Sequence, residues 1–568
     1  MKKILIRLMF LAMLVALLPV HVAQACSAFI VGKDLTADGS TLFGRTEDYP
    51  YAPDGGRHNQ NYVVVPAKTY KDGDKIEDES NGFTYPHLAN EMKYTAVYDS
   101  DRDNGSNGNF AAHGFNELGV AMTATVSATP NDKVLKEDPL VKDGLPEASL
   151  VDLALPRAKT AREVIETVAK VLDEKGSAEG NIIVAADKNE LWYMEILSGH
   201  QYVAIKFPTN KYAVFANTYY LGHVDLNDKE NVIASKDVEE VAKKADNYKT
   251  DKDGNFMIAK SYGPDKYMER NRSRTYAGIK WMDPQAKVNY DDEAFDLLRE
   301  PTDPNKKYTV HDVIAEQRNR FEHLPEYKAD DLVEVGKKID GNVYKYALGN
   351  ENVIDAHVYQ IKPNLPNAFG GVMWLGLAQS RNTPYVPFYG NVEDTYEAFK
   401  NRSTKYDGKS WYWTVWHIDQ MVMKYPEIFG NSIQEKWKAK EAEWDKEQTE
   451  RDAKYANYTD EQAKAAGPEV TKEALERSEK IFKEIKAVEA EMEEKIKKEK
   501  GKDADLVYTG YNKANLLAEA EKGKSADKAS DTKKDSSSQT TWIVIGVLVV
   551  LVAGFFGYKQ FNKKKEEE

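Results

Sequence analysis

The period of apolar and polar positions changes several times along the chain, and each change predicts an element. Near the start of the globular region, "CSAFIVG" and "STLFGRTED" are short apolar runs on either side of "KDLTADG". Asp38-Gly39 is a turn signal, so the two runs predict an antiparallel hairpin. Counting register around residues 33–39 gives paired positions that sum to about 72, which sets Cys26 opposite Thr46 and brings Arg45 and Asp48 beside it. A strand pattern returns at "GVAMTATVS". "KTAREVIETVAKVLDEKG" then predicts a helix, with Thr160 and Glu163 as a capping box, Val164, Val168, Val171 and Leu172 along one face, and Gly176 as its C-terminal cap. Four strand patterns follow closely: "NIIVAAD", "LWYMEI", "QYVAIKF" and "YAVFAN". Strands clustered in this way, with helices grouped elsewhere, predict an α+β domain with antiparallel sheet over residues 26–430.

Beyond that region the pattern loosens. Residues 431–502 are rich in Glu, Lys and Ala, and Ile481, Ile485, Val488, Met492 and Ile496 recur at helical or heptad-like spacing. The segment is expected to be a charged helical segment or stalk, solvated or laid on the domain, with a partner-binding coiled coil as the other reading. Residues 503–541 read as a polar linker, "GKSADKASDTKKDSSSQ" being typical of it. "WIVIGVLVVLVAGFFGY", 542–558, is seventeen residues without a charge, bounded by aromatics and followed by the lysines of 559–568. It predicts one transmembrane helix with a cytoplasmic tail. At the other end, Lys2, Lys3 and Arg7 precede "LMFLAMLVALL", and Ala23-Gln24-Ala25 forms a small-x-small cleavage site. Residues 1–25 thus read as a secretory signal peptide. The expected location is the cell membrane, single-pass, with the domain outside the cell.

Composition narrows the chemistry. The chain has 92 acidic against 78 basic side chains, a formal charge of -14, which argues against nucleic acid as a partner. Among 568 residues there is one cysteine, Cys26, which excludes an intramolecular disulfide framework. Cleavage after Ala25 would make Cys26 the first residue. It would then carry both a thiol and an α-amine, with ordinary pKa values of about 8.5 and about 7.7–8.0. Such an amine can take the thiol proton without any histidine, which is the chemistry of an N-terminal nucleophile. The plainer reading is a lipoprotein with Cys26 acylated, although Ala23 and Gln24 suit a lipobox poorly.

The order of an N-terminal Cys, "GRTEDY" and "GFNELGVAMTATVSA" resembles the dipeptidase A-type cysteine peptidases of the N-terminal-nucleophile hydrolase superfamily. Penicillin V acylase and bile salt hydrolase are more distant relatives. The resemblance continues through "LWYMEILSGHQYVAIKFPTNKYAVFANTYY", "RNRSRTYAGIKWM", "HVYQIKPNLPNAFGGVMWLGLAQSRNTPYVPFY" and "SWYWTVWHIDQM", covering roughly residues 26–430. It implies a four-layered αββα sandwich and a dipeptidase working through a thioester on Cys26. It also implies roles for four further residues. Arg45 would lie beside the thiol, Asp48 at the amino end of the nucleophile, Asn217 in the oxyanion hole, and Arg274, or its neighbour Arg272, as a second active-site arginine. Where the acylase relatives carry an asparagine, this chain has Thr125, Val126 and Ser127, leaving a second oxyanion donor unassigned.

Other candidates offer less. His113, His200 and His357 are scattered without metal-ligand spacing, so no metal and no cofactor is expected. Asn116 and Glu117 read as turn residues, and "NGSNGN" lacks the Gly-Lys-Ser/Thr ending of a phosphate cradle. Trp374, Tyr385, Phe388 and Tyr389 read as core. The expected partners are dipeptides or small peptides and the membrane, and the oligomeric state is left open, a homo-oligomer included. Two alternatives stand beside the dipeptidase: an acyl-amide hydrolase of the penicillin acylase or bile salt hydrolase kind, and a non-catalytic surface lipoprotein that binds.

Overall fold

A computed structural model of the protein describes residues 26–49, 58–99, 110–292, 294–324, 337–339, 342–344 and 347–508. The expected signal peptide, transmembrane helix and cytoplasmic tail lie outside the described residues, as does most of the linker. Among the described residues no helix is long and apolar enough to cross a membrane.

The fold is α+β and is built on two antiparallel sheets. The first takes strands β1 (Ser27–Val31), β2 (Thr41–Asp48), β10 (Tyr212–Phe215), β12 (Val353–Ile361), β13 (Val372–Leu377) and β14 (Val386–Tyr389). Their order is β10-β1-β2-β12-β13-β14. The second takes β3 (Gln60–Val65), β4 (Tyr94–Asp99), β5 (Ala111–Phe115), β6 (Ala121–Ala128), β7 (Gly180–Ala186), β8 (Leu191–Ile196), β9 (Tyr202–Lys206) and β11 (Val232–Ala234). Its order is β11-β9-β8-β7-β6-β5-β4-β3. Phe215 and Tyr359 of the first sheet meet Tyr193 and Phe115 of the second. The Phe115–Tyr359 and Tyr193–Phe215 rings lie edge-on at 4.8 and 5.2 Å. The aromatic seam excludes water from the space between the sheets.

Helices cover the outer faces. Helix α1 (Ala161–Lys175) lies on the second sheet and buries the predicted Val164, Val168, Val171 and Leu172. Thr160 Oγ1 accepts from Glu163 N and Gly176 takes φ +71, as expected of the two caps. The return half of the capping box differs, because the Glu163 carboxylate accepts from Lys159 N. On the first sheet lie α2 (Glu269–Met282), α3 (Val310–Gln317), α4 (Trp411–Lys424) and α5 (Ser432–Tyr455). Helix, sheet, sheet and helix therefore follow one another in layers. Trp374, Tyr385, Phe388 and Tyr389 are all buried.

The hairpin corrects one expectation. Its register pairs Ser27 with Thr46 and Ala28 with Arg45, so paired positions sum to one more than the turn count predicted. The connection is no plain turn: Lys33–Leu35 form a 3-10 turn and Gly39 takes φ +73. The extra residue flips which side chains share a face.

The charged segment after residue 430 is laid on the domain, the second of the two forms expected of it, and does not stand off as a stalk. Helix α6 (Gly467–Lys500) packs on α4, with Ile481, Ile485, Val488, Met492 and Ile496 all buried. Glu441 of α5 is buried and receives both ends of the Arg318 guanidinium at 2.5 and 2.8 Å. An apolar stripe repeating every three to four residues on a charged helix has therefore found its cover on the domain itself. Ile485→Ala is accordingly expected to cost about 2–5 kcal/mol of unfolding free energy. Urea denaturation followed by far-UV circular dichroism would read it, and an unchanged midpoint would mean that α6 is a solvated stalk.

Candidate active site

Cys26 immediately precedes β1, and the observed register decides what it faces. Ala28 pairs with Arg45, so Cys26, two residues before Ala28, shares a face with Arg45 and Glu47. That face looks toward the second sheet. In the register expected from the turn, Arg45 would have pointed away from the thiol. As it stands, Arg45 NH1 lies 3.5 Å from Cys26 Sγ. Its NH2 reaches Glu47 Oε2 at 3.1 Å and the carbonyls of Ala112 and Ala124 at 3.4 and 3.0 Å. Its Nε donates to Thr123 Oγ1 at 3.3 Å. Gly44 permits the close approach of β2 and β12: a Cβ there would stand 2.0 Å from the His357 carbonyl oxygen.

The remaining predicted residues gather at the backbone of the same cysteine. Arg274, on α2, donates to the Cys26 carbonyl oxygen, to Ser27 Oγ at 3.0 Å and to Asn217 Oδ1 at 2.8 Å. Arg272, two residues earlier, turns away to the carbonyls of Tyr290 and Asp292. Of the two arginines the sequence leaves open, Arg274 is the one that meets Cys26. Asn217 follows β10 and is held through its oxygen, while its buried Nδ2 has no hydrogen-bond partner among the described residues. Asp48 lies on the opposite strand face from Arg45. Its Oδ2 accepts from Asn350 Nδ2 at 2.6 Å, and its Oδ1 is buried without a partner among the described residues.

Burial governs the protonation of this cluster. It pushes the Cys26 thiol up to about 12, with Arg45 pulling down and Glu47, Asp48 and Glu147 adding to the rise. Burial likewise lifts Glu47 to about 8 against the pull of Arg45, and Asp48 to about 7 against Arg274 and the Asn350 hydrogen bond. A thiol in this setting needs a base to become a nucleophile.

Asn116 is a structural turn residue. Its amide donates to the carbonyls of Leu155 and Ala158, and its oxygen accepts from the N–H groups of Leu118 and Val120. Of the strand proposed for a second oxyanion donor, Val126 is buried and Ser127 donates to Glu147. The side chain of Thr125 lies outside the described residues.

The histidines are where the sequence reading falls short. His200 pairs with Asp138, but His113 and His357 stack at 3.5 Å between ring centroids and share Asp355. One potential ligand atom from each of His113, Asp355 and His357 lies within 4.8 Å of the others, all three residues fully buried. The two histidines stand 244 positions apart on different sheets, so no local spacing could announce them. The one readable signal was "DAHVY", alternating polar groups on a strand where apolar ones are usual.

Comparison with known proteins now gives this geometry a family. The model of peptidase family C69 matches residues 25–478. A probable dipeptidase B of Streptococcus pyogenes serotype M1 is 48% identical over 84% of this chain and 95% of its own length. A probable dipeptidase of Latilactobacillus sakei is 33% identical over 69% of this chain and 79% of its own, and one of Salmonella dublin 28% over 67% and 84%. The solved structure of a mutant conjugated bile acid hydrolase from Clostridium perfringens aligns at a TM-score of 0.24 and 13% identity. It covers 62% of this chain and 89% of its own, a likeness too slight to bear on fold or activity. The chain belongs to peptidase family C69 and is a peptidase. The family match also runs past residue 430, through α5 and into α6.

The raised carboxyls predict a pH dependence. Glu316 is lifted to about 8 by burial alone, and Glu195 to about 7 by burial against hydrogen bonds from Tyr220, Tyr193 and Leu221. Together with Glu47 and Asp48, they hold protons in the folded chain that the unfolded chain releases above about 4–4.5. Their contribution is full below that pH and is lost as pH rises toward 7 to 8. Asp355, held below the usual carboxylate range by the two histidines against burial, acts with the opposite sign but only in strong acid. The urea midpoint is therefore expected to fall between pH 5 and 8, and Glu316→Gln to flatten the slope. Parallel slopes for variant and parent would refute the assignment to Glu316.

Proposed function

We propose that the protein is a dipeptidase of the N-terminal-nucleophile hydrolase type, with Cys26 as nucleophile. One observation carries the reading: Arg45 addresses the thiol, while Arg274 binds the carbonyl of the same residue and holds Asn217 by its oxygen, leaving Nδ2 as a donor. The names borne by the relatives, probable dipeptidases, and the layered sheets support it. Release of the chain after Ala25 converts the Cys26 nitrogen from an amide into an amine of ordinary pKa about 7.7–8.0. That amine takes the thiol proton, and the buried Oδ1 of Asp48, without a hydrogen-bond partner among the described residues, is suited to receive the resulting ammonium. The thiolate attacks the peptide carbonyl, and the oxyanion is met by Asn217 Nδ2. Collapse breaks the C–N bond, the departing amine takes a proton from the ammonium, and the acyl group stays on sulfur as a thioester. Water, deprotonated by the same amine, releases the acyl product and restores the thiol.

Intact mass and N-terminal sequencing of the processed protein are expected to give an unblocked Cys26. A lipid-bearing Cys26 would overturn the mechanism in favour of a surface lipoprotein. Asn217→Ala is expected to lower kcat on dipeptides by about 100- to 1000-fold with the fold retained. Cys26→Ala should leave no turnover. Turnover of penicillin V or a bile acid conjugate with none of any dipeptide would instead assign the acyl-amide hydrolase reading.

We also place the catalytic domain outside the cell, tethered by residues 542–558, on the sequence pattern of the two ends. Protease shaving of intact cells should release an active fragment lacking the last 60 or so residues, a span set by where linker and apolar segment lie. Activity retained wholly inside the cells would refute the tether.

A further inference from the structure

One of the stacked histidines, His357, completes a chain of hydrogen bonds that ends on the thiol. Asp355, His357 and Tyr359 alternate on β12 and pair with Glu47, Arg45 and Phe43 of β2, so their side chains share the face that carries Arg45. His113 and Thr123 are a cross-strand pair on the opposing sheet. Thr123 Oγ1 stands between the sheets, 3.3 Å from Arg45 Nε and 2.9 Å from His357 Nε2. His357 Nδ1 is 2.9 Å from Asp355 Oδ2, and His113 Nε2 lies 3.1 Å from the same oxygen. His113 Nδ1 meets the Tyr359 hydroxyl at 2.8 Å. Asp355, His357 and His113 are entirely buried, and Thr123 nearly so.

Donor and acceptor chemistry sets the direction of the protons between Arg45 and Asp355. Arg45 Nε can only donate, so Thr123 Oγ1 accepts there, and its single proton finds its acceptor in His357 Nε2, the other polar atom that the described residues place within reach. His357 then carries its own proton on Nδ1 and gives it to the carboxylate of Asp355. A doubly protonated His357 would confront the Thr123 hydroxyl with two donors and leave its proton without an acceptor among the described residues. Burial, reinforced by His113 and opposed by Asp355, holds His357 down at about 3, in keeping with a neutral ring. A cation held by His113, Asp355 and His357 meets the same objection. It would displace the Nδ1 proton, force Nε2 to donate, and strand the Thr123 hydroxyl against Arg45.

We infer that His357, locked as its Nδ1–H tautomer by Asp355, is a positioning residue that acts through the Thr123 hydroxyl to hold the Arg45 guanidinium against Cys26 Sγ. The inference rests on the reading of Cys26 as nucleophile. Glu47, at 3.1 Å, competes with the sulfur for the same guanidinium. The Thr123 contact anchors the Nε edge, and rotation toward Glu47 would have to break it. The two sheets are thus joined at the point where the charge facing the sulfur is aimed.

The test uses Thr123→Val, nearly isosteric but without the hydroxyl, with Thr123→Ser and His357→Gln, which restore or retain a hydrogen-bonding group. None of the three alters Glu47, Asp48, Glu147 or Arg274, the other charged groups around Cys26. The processed enzyme is inactivated with iodoacetamide across pH 5–10, and kcat and KM for a dipeptide are measured alongside. Because Cys26 is the only cysteine, inactivation reports on one thiol. Thr123→Val is expected to move the inactivation profile to higher pH, slowing it about tenfold at a fixed pH below the midpoint, and to lower kcat with KM unchanged. Thr123→Ser should return both to near the parent, and His357→Gln should fall between. A Thr123→Val profile that superimposes on the parent, with the fold intact by thermal melting, would overturn the inference. So would one equivalent of bound metal in the parent that is absent from His357→Gln. Should Thr123→Val fail to fold, the His357→Gln profile decides in its place: a shift to higher pH supports the inference and superposition on the parent overturns it. Failure of the underlying reading is separately visible, as dipeptide turnover by Cys26→Ala.

Discussion

A guanidinium with 1% of its surface exposed sits between two β-sheets, and the arrangement of the domain follows from having to satisfy it. A buried cation is costly unless its hydrogens meet acceptors. Arg45 finds the carboxyl group of Glu47 on its own strand, two backbone carbonyls and a hydroxyl on the facing sheet, and the sulfur of Cys26. Contacts to both sheets from one rigid planar group leave little freedom for one sheet to slide on the other. The bulge between Ala124 and Val126 falls where the facing strand supplies one of those carbonyls. Sheet packing and site geometry are in this sense a single constraint.

The same strands divide the site into two halves. On the inner face, Cys26 Sγ, Arg45 and Glu47 are buried together with the histidine pair. On the outer face, Asp48, Ser27 and the α2 residue Arg274 surround the backbone of Cys26, and Asn217 joins them from the end of β10. A cysteine whose side chain and backbone are addressed from opposite sides of one sheet has its thiol and its backbone set in separate electrostatic surroundings. A one-residue slip in the β1–β2 pairing would exchange the two faces and dissolve the arrangement. The 3-10 turn and the left-handed Gly39 between the strands therefore matter as much as any residue touching the sulfur.

Far from the site, α5 and α6 show how charge can conceal a core element. Their surfaces carry many Glu–Lys pairs, yet Trp437, Trp444, Ile485 and Ile496 are buried, and Glu441 is neutralised by Arg318 on the loop after α3. Composition averages over the whole helix circumference, whereas packing needs only one stripe. Membership of peptidase family C69, with a match reaching residue 478, agrees with these helices being part of the folded unit.

Much was readable in the sequence because it is local. The hairpin, the helix with Thr160 and Gly176 at its ends, strands β6 to β9 of the second sheet and the isolated cysteine are all set by neighbours in the chain, through dihedral preference, capping and the period of apolar positions. The prominence of Cys26, Arg45, Asp48, Asn217 and Arg274 was legible through motif order. The register of β1 on β2 was not, because a turn with a 3-10 segment hides one residue from any count. Nor were the choice of Arg274 over Arg272, two steps apart on one helix, or the meeting of His113, Thr123, Asp355 and His357. Those depend on which faces two sheets present to each other, and a side chain's partner across a sheet interface leaves no trace in the residues beside it.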